Sequence, residues 1–97
     1  MRPEEALEHA ERHGPSDDTR VFACKNPFYA YSYAYWVDQC PRDDARKAAC
    51  EDPHNAYFYA LEIDKSFHED TWEAVKGTKY EKEYNKFLNQ IEKEKII

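Results

Sequence analysis

The sequence predicts an all-α fold, a stack of short helix-turn-helix repeats with about seven helices and atypical capping helices at both ends. The first observation is a repeat of 26 residues, the separation of Pro27 and Pro53 in this chain of 97 residues. A fixed period of this length is typical of stacked copies of one supersecondary unit. The second observation is a helix-start signal in each copy, and the third is a helical spacing of apolar residues after it.

The first helix of each unit (helix A) begins at an N-cap residue followed by proline. Asn26 and Asp52 are good N-caps, and proline at the first helical position loses no hydrogen bond. Apolar residues then recur at i, i+3, i+4 and i+7, on one face of a helix. The two stripes are Ala30, Tyr33, Ala34 and Val37, and Ala56, Tyr59, Ala60 and Ile63. We expect A helices over 27–37 and 53–63.

The second helix of each unit (helix B) is expected over 15–24, 41–50 and 67–76, opened in two copies by proline and in the third by Phe67. Acidic residues would fall at its third position, near the positive end of the helix dipole, and Ser66 with Glu69 would form a capping box. Small residues coincide at the period and would let neighbouring helices approach: Ala23, Ala49 and Val75.

The two ends depart from the repeat, as the ends of stacked arrays do. Residues 3–12 form a polar helix, and a longer final helix over 79–95 would be capped by Thr78 and Glu81. The chain is therefore expected to be a single helical-repeat domain. Its units cover about 1–25, 26–51 and 52–77, followed by a capping helix over 78–97.

The element Asn/Asp-Pro-x-x-Ala-Tyr-x-Tyr-Ala at 26–34, which recurs as Asp-Pro-x-x-Ala-Tyr-x-Tyr-Ala at 52–60, resembles a short helical repeat of bacteriophage and giant-virus proteins. The similarity covers residues 15–76. The chain departs from that family at 40–44, where Cys-Pro-Arg-Asp-Asp replaces a basic, glycine-rich turn, and in the final helix. The resemblance implies an all-α repeat and suggests a viral or prophage origin, and it implies no chemistry.

Acidic residues recur at the same period, in a chain whose formal net charge is −6. One interpretation is stabilisation of helix N-termini, at up to about 1 kcal/mol each. The other is an anionic stripe that occupies a basic groove and imitates nucleic acid, which carries about one charge per 1.7 Å of duplex. The stripe would comprise Asp17, Asp18, Asp43, Asp44, Glu69 and Asp70, with a second row of Asp38 and Asp64.

Alternating tyrosines at 29–35 would share one face of a strand, but proline, alanine content and the repeat favour a helix. Tyr33 and Tyr59 are then core residues. Tyr31, Tyr35 and Trp36 are expected near the surface, as anchors for a protein partner, because aromatic residues dominate interface hot spots.

Histidine and cysteine patterns are weak signals of chemistry. His9 and His13 lie four residues apart without the His-Glu-x-x-His order of a zinc protease, and two ligands do not make a metal site. Cys24 and Cys50 are repeat equivalents, expected as small packing residues, while Cys40 is expected to be exposed. We expect no catalytic residues, no cofactor and no metal, and therefore no enzyme.

The sequence supports two functional hypotheses. The first is a non-enzymatic acidic protein of a phage or prophage that binds a host protein with a basic surface and inhibits a nucleic-acid-handling defence complex of anti-CRISPR or anti-restriction type. The alternative is a structural or self-associating repeat protein. No apolar segment at the start or elsewhere is long enough to span a membrane, so a cytoplasmic monomer or homodimer without membrane or direct nucleic-acid contact is expected.

Overall fold

Seven helices follow one another along the residues that the structure describes. The computed structural model describes the backbone of residues 1–96 and the side chains of residues 1–93. The helices are α1 (Pro3–His13), α2 (Asp17–Ala23), α3 (Pro27–Tyr33), α4 (Asp43–Ala49), α5 (Pro53–Phe58), α6 (Glu69–Val75) and α7 (Glu81–Ile96). The predicted all-α fold is confirmed. Residue 97 of the predicted capping unit lies outside the described residues.

The A helices α1, α3 and α5 contact one another in series, and each packs against the B helix that follows it. The Cα atoms span 42 × 30 × 15 Å, which corresponds to a slab two helices thick. The stack therefore has two broad faces, and its edges consist of helix ends and the turns that connect them.

The predicted starts of α3 and α5 are confirmed. The Asn26 side chain accepts hydrogen bonds from the backbone N–H groups of Phe28 and Tyr29, and Asp52 accepts one from His54. Both helices are extended by a π-helical turn, at Ala34–Asp38 and Tyr59–Asp64. Each extension ends at a residue in the left-handed region, Gln39 (φ 55°) or Lys65 (φ 53°).

The B helices begin two residues later than predicted. Pro15 and Pro41 precede the helices, and the N-caps are Ser16, Arg42 and His68. The acids at 17, 43 and 69 thus occupy the first helical position rather than the third. The capping box predicted at Ser66 and Glu69 is wrong, because Ser66 Oγ donates to the Asp64 carbonyl instead.

The final helix also starts later than predicted, at Glu81. The capping box predicted at Thr78 and Glu81 does not form at the start of this helix. The Thr78 hydroxyl instead donates to the Val75 carbonyl and accepts from the Tyr80 N–H. The later start follows a turn at Gly77 with φ 78°. It brings Tyr84, which lies 25 rather than 26 residues after Tyr59, into the position that Tyr59 occupies in the preceding unit.

The core consists of clusters in which alanines surround one fully buried tyrosine. Tyr33, Tyr59 and Tyr84 each belong to a separate cluster and are each 0% exposed. The predicted small residues Ala23, Ala49 and Val75 are also fully buried. Because alanine lets helices approach closely, the large ring of the tyrosine fills the space between the helices in each cluster, and Phe87 adds a second ring to the cluster of Tyr84.

The hydroxyl of each buried tyrosine joins its helix to the N-terminus of the preceding B helix. The Tyr33 hydroxyl lies 2.6 Å from Thr19 Oγ1 and also contacts both backbone groups of Ser16. Tyr59 makes the same backbone pair with Arg42, and Tyr84 lies 2.7 Å from Thr71 Oγ1. These hydrogen bonds connect helices of successive predicted units, and we call them the tyrosine ties.

The tyrosine ties predict unequal effects of removing two neighbouring hydroxyl groups. Tyr59→Phe removes the acceptor of the Arg42 N–H, while the Arg42 carbonyl keeps its bond from the Arg46 N–H, so the free energy of unfolding should fall by about 1 kcal/mol. Tyr57→Phe is the matched control, because the half-buried Tyr57 hydroxyl has no hydrogen-bond partner among the described residues. Urea unfolding of both variants measures the difference, and equal losses would contradict the role of the tie.

Candidate interaction surface

Two arginines are buried between the helices and neutralise acids from two directions. The Arg20 side chain is 7% exposed, and its Nε lies 2.9 Å from Asp38 Oδ2. Its Nη2 donates to the other Asp38 oxygen at 3.2 Å, while Nη1 donates to Asp17 at 2.6 Å. The hydrogen bonds to Asp38 raise the pKa of Arg20 above its usual value despite the opposing effect of burial.

Arg46 repeats this arrangement in the next unit. Its Nε and Nη2 donate to the two Asp64 oxygens at 2.9 and 2.6 Å, and Nη1 donates to Asp43 at 2.7 Å. The side chains of Asp38 and Asp64 are 1% and 0% exposed. Their prediction as a second row of surface acids is wrong, since both carboxylates are enclosed and fully engaged by arginine.

The π-helical turns belong to the same part of the structure as these buried ion pairs. Asp38 and Asp64 are the last residues of the two turns. In each, the residue that follows donates its N–H to a carbonyl five residues earlier, at 2.8 Å. A π turn is wider than an α turn and reorients the side chains of the last turn. The sequence signal was available, because Arg20 and Arg46 share the period of Asp38 and Asp64.

The remaining predicted acids are exposed at the N-termini of successive B helices. We call this group the acidic edge: Asp17, Asp18, Asp43, Asp44, Glu69 and Asp70. Adjacent units meet along it, since Asp44 Oδ2 lies 4.0 Å from Arg20 Nη1 of the preceding unit. Asp17 and Asp43 are 91% and 89% exposed while bonded to the buried arginines. The hydrogen bond from Arg20 lowers the pKa of Asp17, so its charge persists into acid.

The acidic edge is least neutralised in its third unit. Trp72 stands where the repeat has Arg20 and Arg46, and its ring lies 5.6 Å from Tyr84, much as Arg46 lies 5.7 Å from the ring of Tyr59. Among the described side chains, no cation lies within ion-pair distance of Glu69 or Asp70. Tryptophan thus preserves the packing on tyrosine and omits the charge.

The predicted aromatic anchors are adjacent to one another on α3 and its π turn. Trp36 is 64% exposed and Tyr35 is 40% exposed. Their ring centroids are 4.8 Å apart, and Tyr31 follows at 5.9 Å from Tyr35. We call Tyr31, Tyr35 and Trp36 the aromatic cluster.

Sequence reasoning missed Glu62, an exposed acid of the neighbouring unit that meets the aromatic cluster. The Tyr31 hydroxyl donates to Glu62 Oε2 at 2.5 Å. Burial, and then this hydrogen bond, raise the pKa of Tyr31, so the hydroxyl stays protonated and keeps donating. Glu62 has no acidic equivalent at the period, because Trp36 holds that position, and repeat reasoning therefore gave no signal for it.

The described residues contain no group of three or more His, Cys, Asp or Glu side chains arranged to hold a metal ion. His9 and His13 contact each other, with ring centroids 4.5 Å apart. Over residues 1–96, no helix has the length and apolar character needed to cross a membrane.

Comparison of the chain with protein-family models, with curated proteins and with solved structures finds no match.

The buried ion pair predicts a large loss of stability when arginine alone is removed. Arg46→Met leaves the enclosed Asp64 carboxylate without its hydrogen-bonded arginine, since His68 Nε2 lies 3.7 Å from Oδ1, too far for a hydrogen bond, and this should cost about 3–5 kcal/mol. Adding Asp64→Leu should recover most of that loss, because no buried charge then remains. Arg42→Met, at an exposed position, is the control. Urea unfolding measures the free energy of unfolding of each variant. An Arg46→Met variant as stable as Arg42→Met would refute the importance of the ion pair.

The different exposure of the three thiols predicts the order in which a reagent modifies them. Cys40 is exposed, whereas Cys24 and Cys50, expected to be buried packing residues, are half-buried. Burial raises the pKa of both half-buried thiols to about 11. Because the thiolate is the reactive form, iodoacetamide near neutral pH should modify Cys40 first. The other two should react only as the pH approaches that range. Peptide mass spectrometry reports the order, which early modification of Cys24 would contradict.

Proposed function

We propose that the chain is a non-enzymatic interaction protein whose acidic edge binds a basic surface of a protein that handles nucleic acid. The observation that carries this proposal is the continuous row of exposed acids at the starts of α2, α4 and α6. Burial of Arg20 and Arg46 satisfies Asp38 and Asp64 internally. The exposed acids are consequently left to determine the potential of this edge.

The spacing of the acidic edge suits a nucleic-acid-like role. Helices in contact, such as α4 and α6, have axes about 8–10 Å apart. Each B helix contributes a pair of acids, so the part of the edge formed by α4 and α6 carries one charge per about 4–5 Å. One strand of duplex DNA carries a charge per about 3.4 Å. A groove that binds a phosphate backbone would therefore meet a similar, slightly sparser row of charges.

The biological version of the proposal follows from the resemblance to phage repeats. A phage or prophage protein of this kind would act in the host cytoplasm. It would inhibit a defence complex, of anti-CRISPR or anti-restriction type, by occupying the DNA- or RNA-binding groove of that complex. The same charges would repel nucleic acid itself. A self-associating role is the alternative, and an exposed Phe67 beside a cavity of about 250 Å³ at Leu88 and Ile91 favours it.

The proposal predicts that charge on the acidic edge, rather than total charge, governs binding. We would replace the acids without a short bond to a buried arginine, in the variant Asp18→Asn/Asp44→Asn/Asp70→Asn. Glu8→Gln/Glu51→Gln/Glu73→Gln removes the same charge from exposed sites elsewhere. Affinity for an arginine homopeptide at low salt should fall about tenfold or more in the edge variant only.

The two variants then identify the partner class in bacterial lysate. The native chain and the control should capture a nucleic-acid-binding complex that is released by added salt or duplex DNA, while the edge variant should capture little. Unfolding curves verify that both variants are folded. Equal capture by both variants, or capture that DNA cannot displace, would overturn the proposal. Light scattering that shows concentration-dependent assembly, together with no capture, would favour the self-associating alternative.

A further inference from the structure

A cavity of about 200 Å³ lies where the two π-helical turns end. Its lining includes Tyr35 and Gln39 from one unit and Glu62 and Lys65 from the next. Pockets for drug-sized ligands measure about 300–1,000 Å³. The size therefore suits the head group of one side chain better than a free small molecule.

We propose that this cavity binds the guanidinium group of an arginine on a basic protein partner, with the Tyr35 ring of the aromatic cluster in its lining. The inference rests on the proposed function, which requires a basic partner, and it adds the residue type that the partner presents. Three features of the cavity favour a cation: the Glu62 carboxylate, the aromatic rings and the helix ends.

The Glu62 carboxylate is held in place and still has bonding capacity. Tyr31 donates to Oε2, and within the described residues no donor is bonded to Oε1. Tyr31 therefore fixes the orientation of the carboxylate without neutralising it. A carboxylate held this way can accept a charge-assisted hydrogen bond from a guanidinium N–H.

The ring of Tyr35, which lines the cavity, can offer a face to a flat cation, and the ring of Trp36 lies beside it. They meet edge to face, at an interplanar angle of 72°, so the two rings present differently oriented surfaces. Guanidinium stacks on aromatic faces and is more weakly hydrated than ammonium, so arginine loses less hydration there than lysine does.

The helix ends also favour positive charge. Both π turns end at this cavity, at Asp38 and Asp64, followed by the left-handed residues Gln39 and Lys65. Carbonyl ends of helices carry partial negative charge. Lys65 is the opposing feature, since it also lines the cavity and its positive charge competes with an incoming cation.

Matched arginine and lysine homopeptides of equal length separate this inference from the proposed function. Both peptides should bind the acidic edge and weaken with salt. The arginine peptide should bind about threefold to tenfold more tightly, because guanidinium stacks on an aromatic face and loses less hydration there than ammonium does. Glu62→Gln and Tyr35→Ala should each remove that preference and leave the affinity for lysine peptide nearly unchanged.

Controls exist for each substitution. Glu73→Gln removes one exposed charge from α6, and Phe28→Ala removes an aromatic side chain that is 54% exposed at the start of α3. Both should keep the arginine preference. Lys65→Asn retains a residue tolerated in the left-handed region and removes the competing ammonium, so it should increase the preference.

Each outcome has one meaning. Failure of both peptides to bind would refute the acidic edge and the proposed function together. Equal binding of the two peptides, or a preference that survives Glu62→Gln and Tyr35→Ala, would refute the cavity alone. A dimer in light scattering that Trp36→Ala disperses would also overturn the inference, because the aromatic cluster would then be covered by a second copy.

Discussion

The fold depends on one fully buried tyrosine in each unit. Most of the fully buried residues around it are alanines, and alanine contributes little apolar area on burial. Tyr33, Tyr59 and Tyr84 supply the missing volume, and each hydroxyl also satisfies polar groups at the start of a B helix. The tyrosine ties join helices of consecutive units, which links neighbouring copies more firmly than packing of identical units alone would.

The arginine pairs determine which acids face the protein and which face solvent. Arg20 and Arg46 each bind one enclosed and one exposed aspartate. The third unit keeps the ring-on-tyrosine contact with Trp72 and has no buried arginine. Departures from the repeat therefore concentrate the uncompensated charge of Glu69 and Asp70 at one end of the acidic edge, while the ion pairs at the other end serve the fold.

Sequence reasoning predicted the elements that depend on local signals. The caps at Asn26 and Asp52 and the stripes of Ala30 and Tyr33 follow from short-range rules, and the structure reproduces them. Sequence reasoning failed where tertiary contacts determine the local structure. Pro15 and Pro41 look like the first residues of helices. The N-caps are instead the residues that follow them, Ser16 and Arg42, whose backbone groups take part in the tyrosine ties. Asp38 looked like a surface acid, because a period alone does not reveal which side of a helix end faces a buried arginine.

The acidic edge and the guanidinium cavity lie at the same edge because of chain geometry. Each A helix ends only a few residues before the next B helix begins, at Gln39 to Arg42 and at Lys65 to His68. The negative carbonyl end of each A helix and the positive end of the next B helix partly offset each other along this edge, while the cavity itself lies at the carbonyl ends. The carboxylates beside them are then the dominant source of the field. An arginine-rich surface attracted by that field would reach the aromatic cluster in the same approach, so long-range attraction and arginine selectivity would act on one partner.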